Sequence, residues 1–398
     1  MTTSELDADL FLPEPEPREV KYTIISVDDH LVEPADMFEG RLPAKMQDQA
    51  PKIVLNEQGH EVWEFEGQRH YQVGQNAVAG RRLETVQVEP FRFDQMRPGC
   101  YDVHARVRDM DVNGVWASLN FPSMITGFCG RVFSHAADPE LGLATTRAWN
   151  DWFFDEWYSP YPERMIPMGI TWLADPEIGA EEIRRNAARG FKSVTLPERP
   201  HRINFPSIFS EYWEPVIAAC AETDTVISLH VGSSGMADYA DDAPRLQLGA
   251  TLFGQLSLTA CAEWLWSGWA VKYPGLKVAM SEGGIGWVAM LVDRLDNIID
   301  RSGYGMAGFK GLRPADVLRD HFWFCTIDDP STIDTRYTIG IDHIMLETDY
   351  PHGDGTWPDT QAVVEKYWGQ LPVDELRKLT HQNAAALFRH PLPDVCLP

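Results

Sequence analysis

The sequence has no apolar run of about 18 to 20 residues, the length that a membrane-spanning helix needs. It also has few basic residues: 34 lysines and arginines stand against 59 aspartates and glutamates among 398 residues, for a formal net charge of −25. Because binding to a nucleic-acid backbone depends on clustered lysine and arginine, this deficit argues against such a partner. We therefore expect neither a membrane nor a nucleic acid as partner, and a small-molecule substrate instead.

Paired cysteine motifs are also missing. The six cysteines are scattered, without C-x-x-C spacing, so we expect reduced, mostly buried thiols and no disulfide framework. The first seven residues, MTTSELD, are acidic where a signal peptide would be basic, and no apolar segment follows them. Together with a hydrophobic content of 44%, these features predict a well-cored cytoplasmic protein.

Short apolar runs alternate with amphipathic helical patterns, as is typical of strands buried on both faces of a parallel sheet. The predicted strands are 23–27, 115–120, 165–171, 191–196, 225–230, 276–281, 321–327 and 343–348. The predicted helices are 102–112, 139–157, 176–189, 210–223, 252–273, 287–301, 330–337 and 372–388. Eight strands, each followed by a helix, predict an α/β fold of the (β/α)8 or TIM-barrel class. A doubly wound sheet is the alternative, but the G-x-G-x-x-G turn of its nucleotide site is absent.

The predicted domain organisation is one barrel with long loops. Residues 1–20 are rich in proline and glutamate and predict a flexible arm, residues 21–390 the barrel, and residues 391–398 a C-terminal tail. An insertion at 35–101 follows the first strand and contains extended runs joined by a turn at 56–59, and a second insertion occupies 231–249. Both loops leave the carboxyl ends of strands, where barrel active sites are built.

Four polar residues lie at or just past predicted strand ends: Asp28, His30, His230 and Asp349. The alternation of side chains along a strand places Asp28 and His30 on the same side. Two carboxylates and two imidazoles suit a divalent ion, so we expect one metal ion, with zinc favoured and manganese or iron as alternatives. Because Leu196-Pro197-Glu198-Arg199 offers no lysine after the fourth strand that could bridge two ions, a single metal is expected.

Other candidates surround this set. Glu282, at the end of the sixth strand before two glycines, is interpreted as a general acid/base or as a substrate-orienting group. His352 and Glu33 lie close in sequence to proposed ligands and could support them, or could be ordinary loop residues. No G-x-S-x-G elbow and no P-loop is present, so serine hydrolase and nucleotide-phosphate chemistry are not indicated.

Seven motifs follow one another between residues 22 and 390, and as an ordered set they are specific for one protein family. They are SVDDHLVEP at 26–34, RDMDVNGV at 108–115, GFKSV at 190–194, LHVG at 229–232, SEGGIGW at 281–287, TDYPH at 348–352 and NAA at 383–385. With them the chain closely resembles the amidohydrolase superfamily, in its amidohydrolase-related (amidohydrolase 2) branch. That branch includes aminocarboxymuconate semialdehyde decarboxylase and the resorcylate-type decarboxylases.

The resemblance implies a metal-dependent TIM barrel that forms a homodimer. The family's H-x-H metal pair falls on Asp28 and His30, its strand-five histidine on His230, and its strand-eight aspartate on Asp349. The sequence departs from the pattern twice. An acid, Asp28, replaces the first histidine, and Glu282 stands where the decarboxylases have a catalytic histidine.

The leading hypothesis is therefore a mononuclear metal-dependent hydrolase. The ion would lower the pKa of a bound water, Asp349 would take the proton of that water, and Glu282 would protonate the leaving group or orient the substrate. Aromatic residues in and near the insertions predict a small cyclic or aromatic substrate.

Two alternatives remain open. One is metal-dependent, non-oxidative decarboxylation of an aromatic or enoic acid, with Arg131 or Arg199 holding the carboxylate. The other is a catalytically silent barrel that acts as a binding module, suggested by the substitutions at positions 28 and 282. Incorporation of oxygen from 18O-water separates hydrolysis from decarboxylation, and metal analysis tests the silent barrel.

Overall fold

The computed structural model describes residues 6–86, 90–302, 306–327 and 329–398. Its strands are β1 (Ile25–His30), β2 (Lys52–Leu55), β3 (Glu61–Phe65), β4 (Gln68–His70), β5 (Ala117–Phe121), β6 (Met165–Ile166), β7 (Met168–Gly169), β8 (Ser193–Thr195), β9 (Val226–His230), β10 (Val278–Ser281), β11 (Phe322–Thr326) and β12 (Ile344–Leu346). Its helices are α1 (Val103–Asn113), α2 (Arg131–Ser134), α3 (Pro139–Trp152), α4 (Pro176–Arg189), α5 (Glu214–Thr223), α6 (Arg245–Thr251), α7 (Phe253–Trp266), α8 (Trp269–Lys272), α9 (Val288–Ser302), α10 (Pro314–His321), α11 (Arg336–Ile339), α12 (Thr360–Trp368), α13 (Val373–Arg377) and α14 (Asn383–Phe388). Residues 1–5 of the predicted arm and 87–89 of the predicted insertion lie outside the described residues.

Tertiary contacts divide the chain into two compact units. The first unit comprises Met1–Pro167, Thr348–Gln370 and Pro391–Pro398, and the second comprises Met168–Glu347 and Leu371–His390. In the first unit, three parallel strands form a sheet in the order β1-β5-β6. Every residue of β1 and β5 is buried, although both strands carry polar side chains, among them Asp28, Asp29 and His30 in β1.

The insertion after β1 forms a small antiparallel sheet in the order β2-β3-β4 within the first unit. The Asn56 side-chain oxygen accepts hydrogen bonds from the backbone N–H groups of Gln58 and His60, both at 2.9 Å. Gly59 has φ of 77°, which only glycine adopts without strain. The predicted turn at 56–59 is therefore confirmed, with extended strands on either side.

In the second unit, six parallel strands form a sheet in the order β12-β11-β10-β9-β8-β7, so strands consecutive in the chain are neighbours in the sheet. Parallel neighbours require crossover connections, which helices supply here. The crossover helix α4 begins as predicted, because the Asp175 side chain accepts hydrogen bonds from the N–H groups of Glu177 and Ile178. It ends at Gly190, with φ of 115°.

Several predicted helices are interrupted. The helix predicted at 139–157 changes to a π-helix over Phe153–Tyr158, and the helix predicted at 252–273 breaks between α7 and α8 at Gly268, with φ of 77°. The prediction that a strand starts at residue 321 is wrong by one residue, since His321 ends α10, a helix that the sequence pattern did not reveal. No helix in the described ranges is long and apolar enough to cross a membrane.

Candidate active site

The first group of site residues lies at the end of β1, in the first unit. Asp28 and His30 are both buried, and His30 Nε2 lies 3.5 Å from Asp28 Oδ1. The side chains therefore share one side of the strand, as the alternation predicted. Asp29 makes contacts of its own: its carboxylate accepts hydrogen bonds from the hydroxyl groups of Ser26, Ser118 and Thr348. Burial raises the pKa of Asp29, and these hydrogen bonds oppose that rise.

The segment after β12 brings two more side chains to the same place in the first unit. His30 Nε2 lies 3.4 Å and His352 Nδ1 3.0 Å from Asp349 Oδ1. Ligand atoms of His30, Asp349 and His352 all lie within 4.8 Å of one another, and all three residues are buried. His352, which the sequence suggested only as a supporting or loop residue, thus lies directly beside the candidate ligands.

Backbone hydrogen bonds fix this segment against β1. The N–H of Asp349 donates to the carbonyl of Asp28 at 2.9 Å, and the N–H of His30 donates to the carbonyl of Tyr350 at 2.7 Å. Asp349 has φ of 53°, in the left-handed region that residues other than glycine adopt uncommonly, although aspartate adopts it more often than most. Such a conformation persists only where its surroundings over-determine it, and it is frequent at functional sites.

In the second unit, His230 ends β9 and Glu282 follows β10. His230 Nδ1 lies 2.7 Å from the carbonyl of Val231 and must donate to it, because a carbonyl only accepts. The other ring nitrogen, Nε2, is then the one that lies 3.3 Å from Glu282 Oε2. Glu282 has φ of 59°, and its N–H donates to the buried carboxylate of Glu347 at 3.1 Å. Both candidate catalytic carboxylates, Asp349 and Glu282, therefore stand on left-handed backbone.

Glu33 is buried and anchors the loop after β5. Its carboxylate accepts hydrogen bonds from the N–H of Ser123 at 3.1 Å, from the Ser123 hydroxyl, and from Trp149 Nε1 at 2.9 Å. Burial raises the pKa of Glu33, and the same hydrogen bonds oppose the rise. These contacts are with Ser123 and Trp149 and not with a proposed metal ligand, so the expected role of Glu33 as support for a ligand stays a prediction.

The two candidate arginines differ in their surroundings. In the second unit, Arg199 is paired with Glu263 through two hydrogen bonds, of 3.1 and 2.6 Å. In the first unit, Arg131 begins α2, and its buried Nε makes no hydrogen bond to any described residue. Of the two, Arg131 therefore has a donor to offer a carboxylate.

Glu198, next to Arg199, is a buried carboxylate that the sequence reasoning missed. It accepts a hydrogen bond from the N–H of Gly232 at 3.0 Å, and its own N–H donates to the Ser233 hydroxyl at 3.1 Å. Burial raises its pKa to about 7. It therefore holds the first turn of the loop that follows His230. An acidic residue just past an apolar strand was the signal that could have found it.

A small cavity in the first unit lies beside the two imidazoles of His30 and His352. Its other lining residues are Leu31, Val32, Gln75, Ala77, Ser123, Phe128 and Pro351. The cavity volume is about 10 Å³, the lower limit for one water molecule. Gln75, from the insertion, has a buried side-chain oxygen that accepts no hydrogen bond from the described residues.

The donor set fits a divalent cation. Imidazole nitrogens and carboxylate oxygens are ligands that zinc, manganese and iron all accept. Their close approach in the first unit, with His30, Asp349 and His352 mutually within 4.8 Å, matches the spacing of ligands around a shared ion.

The sequence model of the amidohydrolase family matches residues 60–390. The chain belongs to the amidohydrolase family. This amidohydrolase is 25% identical over 317 residues to a γ-resorcylate decarboxylase of Polaromonas sp., a match that covers 75% of this chain and 90% of that protein.

Solved structures show the same fold. An amidohydrolase from Mycobacterium avium subsp. paratuberculosis superposes with a TM-score of 0.71 at 21% identity, covering 92% of this chain and 99% of its own. A 5-carboxyvanillate decarboxylase from Novosphingobium aromaticivorans, complexed with manganese and 4-hydroxy-3-methoxy-5-nitrobenzoic acid, superposes with a TM-score of 0.63 at 18% identity, covering 92% and 96%. The predicted fold class, a (β/α)8 barrel, is thereby confirmed.

Proposed function

We propose that this amidohydrolase is a metal-dependent, non-oxidative decarboxylase of a small aromatic carboxylic acid. The observation that carries the proposal is the buried group formed by His30, Asp349 and His352. Two of the relatives described above are decarboxylases that act on aromatic acids. Decarboxylation, the alternative in the sequence analysis, therefore ranks above hydrolysis.

We assign one divalent ion to Asp28, His30, His230 and Asp349. The barrel class supports this assignment, because the carboxyl ends of all parallel barrel strands open on one face. His30 and His230 end β1 and β9, and Asp349 follows β12. Manganese now ranks above zinc, since the carboxyvanillate decarboxylase carries manganese. When bound, the ion would hold the carboxylate of the substrate and a neighbouring oxygen.

Asp349 is the group that we propose delivers a proton to the ring carbon bearing the carboxylate. As the new C–H bond forms, the bond from that carbon to the carboxylate breaks, its electron pair returns to the ring, and CO2 leaves. Water then restores the proton of Asp349. His352 lies 3.0 Å from Asp349 Oδ1 and is placed to orient this carboxyl group and to exchange the proton.

Arg131 and Gln75 are the substrate contacts that we propose. Arg131 has a buried, unused donor for a substrate oxygen, whereas Arg199 is occupied by Glu263. Gln75 lines the small cavity beside His30, and its buried side-chain oxygen would accept a hydrogen bond from a hydroxyl group of the substrate. An aromatic acid that carries a hydroxyl group would satisfy both features.

The proposal is tested by CO2 release from hydroxylated benzoates. Purified protein loaded with Mn²⁺ is incubated with γ-resorcylate, 5-carboxyvanillate and, as a control, unsubstituted benzoate. We expect CO2 release from a hydroxylated acid, loss of that activity after chelation, and its return with Mn²⁺. Absence of CO2 release from a wider panel of hydroxylated aromatic acids, with Mn²⁺, Zn²⁺ or Fe²⁺, would contradict the proposal.

Hydrolysis is the second candidate, and Glu282 favours it. A carboxylate stands 3.3 Å from His230 Nε2, at the position where the resemblance places the catalytic histidine of decarboxylases. A reaction that incorporates oxygen from 18O-water into the organic product, without CO2 release, would establish hydrolysis. The silent-barrel alternative predicts neither reaction and no bound ion, which metal analysis of the purified protein tests.

The homodimer and the cytoplasmic location expected from the sequence stay predictions. Sedimentation of the purified chain tests the first, and the distribution of the native protein between cell fractions tests the second.

A further inference from the structure

The N-terminal segment lies against the insertion in the first unit. Phe11 is buried and forms a backbone bridge with Arg81. The N–H of Leu12 donates to the carbonyl of Gly80, and the N–H of Arg82 donates to the carbonyl of Leu10, both at 2.9 Å. The segment that composition predicted to be a loose arm is therefore held by backbone hydrogen bonds and by a buried aromatic side chain.

The arm also supplies a charge partner to a buried arginine. Both oxygens of Glu14 accept hydrogen bonds from Arg97, each at 2.9 Å. The side chain of Arg97 is only 6% exposed and lies over the ring of Trp357 at 4.3 Å. Its Nε and Nη2 also donate to the two oxygens of Asp109, at 3.2 and 2.8 Å. The guanidinium group thus joins Glu14 to Asp109, and a bidentate geometry of this kind fixes orientation as well as charge.

Asp109 continues the connection to the site. It accepts a hydrogen bond of 2.6 Å from the hydroxyl of Tyr350. The N–H of Tyr350 donates to Asp29 at 3.1 Å, and its carbonyl accepts from the N–H of His30 at 2.7 Å. Tyr350 directly follows Asp349, whose φ of 53° requires support from its neighbours.

We propose that Glu14 is a positioning residue for Asp349 and His30, acting through Arg97, Asp109 and Tyr350. Neutralising Glu14 leaves Arg97 with a single carboxylate partner in a buried place, so the guanidinium and Asp109 rearrange. The hydroxyl of Tyr350 then loses its fixed acceptor, and the left-handed turn at Asp349 loses support. This inference rests on the proposed function only for the role that it gives to Asp349.

The test compares Glu14→Gln with Glu16→Gln, an exposed glutamate on the same arm. Mn²⁺ affinity is measured by titration without substrate, and kcat and KM are measured where a substrate is known. We expect Glu14→Gln to weaken Mn²⁺ affinity and to lower kcat, each about 3- to 10-fold, with KM little changed. Glu14→Asp, which keeps a carboxylate, should have a Mn²⁺ affinity and a kcat between those of Glu14→Gln and the wild type. Glu16→Gln should match the wild type in both.

Tyr350→Phe, which keeps the ring and removes the hydroxyl, supplies the second variant. If both substitutions act through the same chain of contacts, the double variant Glu14→Gln/Tyr350→Phe should lose no more Mn²⁺ affinity and no more kcat than the more strongly impaired single variant. Additive effects, or a Glu14→Gln variant with the Mn²⁺ affinity of Glu16→Gln, would overturn the inference. A wild-type protein that binds Mn²⁺ but decarboxylates nothing would refute the proposed function and leave this inference standing.

Discussion

His352 stacks on His30, with the ring centroids 3.8 Å apart and the ring planes at 17°. Both rings approach the same atom, Asp349 Oδ1, through His30 Nε2 at 3.4 Å and His352 Nδ1 at 3.0 Å. The orientation of one ring therefore constrains the other, and both constrain the carboxylate. A histidine in a loop after β12 thus contributes to the geometry of His30, the proposed metal ligand that ends β1.

Replacing His352 should damage the site without unfolding the protein. His352→Gln removes both the ring stacking and the contact with Asp349, so we expect kcat to fall about 10- to 100-fold and Mn²⁺ to bind more weakly. His104→Gln, at an exposed position on α1, is the matched control. Steady-state kinetics give kcat for both variants, and unfolding midpoints show whether each is folded. A kcat equal to that of the wild type in His352→Gln would refute the proposal that the stacked ring supports the site.

Asp349→Asn should remove the group that we propose transfers the proton, while preserving the backbone conformation. Asparagine tolerates left-handed backbone, so the φ of 53° stays accessible and the fold should persist. We expect kcat to fall about 10²- to 10⁴-fold, the usual contribution of general acid–base catalysis. Asp359→Asn, at an exposed position, serves as control. Activity within a few-fold of the wild type would show that Asp349 transfers no proton.

Backbone strain at Glu282 is testable by two substitutions that both remove its carboxylate. Glycine adopts the φ of 59° freely, whereas alanine carries the same steric cost as glutamate. We expect the free energy of unfolding to be about 1 kcal/mol higher for Glu282→Gly than for Glu282→Ala. Denaturant titrations of the two proteins give the difference directly. Equal stabilities would mean that residue 282 does not hold a left-handed conformation in solution.

Glu198 should make stability depend on pH. Burial raises its pKa from 4.5 to about 7, so between these values the folded protein binds one more proton at Glu198 than the unfolded chain does. The stabilisation that this proton gives to the folded state is complete below pH 4.5 and is lost as the pH rises through 7, a loss on the order of 3 kcal/mol. Denaturant titrations at pH 5 and pH 8 measure how far the free energy of unfolding falls between these two pH values. This decrease should be smaller for Glu198→Gln than for the wild type. Glu57→Gln, in an exposed turn, should retain the wild-type decrease.

The sequence predicted the site best where simple periodicity applies. Side-chain alternation placed Asp28 and His30 together, and the structure brings His30 Nε2 within 3.5 Å of Asp28 Oδ1. His230 and Glu282 were identified because they end predicted strands, and the structure places His230 Nε2 3.3 Å from Glu282 Oε2. The same rule applied to every acidic strand end would also have identified Glu198 and Glu347.

Contacts between distant parts of the chain were beyond that reasoning. The proline- and glutamate-rich composition of the arm indicates weak local structure, but it does not reveal that Glu14 meets Arg97, 83 residues away. Local breaks inside helices were equally invisible, because the π-helix over Phe153–Tyr158 has no sequence signal comparable to Gly268. Whether His352 lies against Asp349 depends on the path of the loop between them, which spacing alone does not determine.

The central claim is that Asp28, His30, His230 and Asp349 bind one divalent cation. Crystals of the Mn²⁺-loaded protein, measured with anomalous scattering at the manganese edge, test it most directly. The account predicts one strong peak per chain, within about 2.0–2.3 Å of ligand atoms from these four residues. A fully loaded protein whose manganese peak lies elsewhere, or is absent, would contradict it.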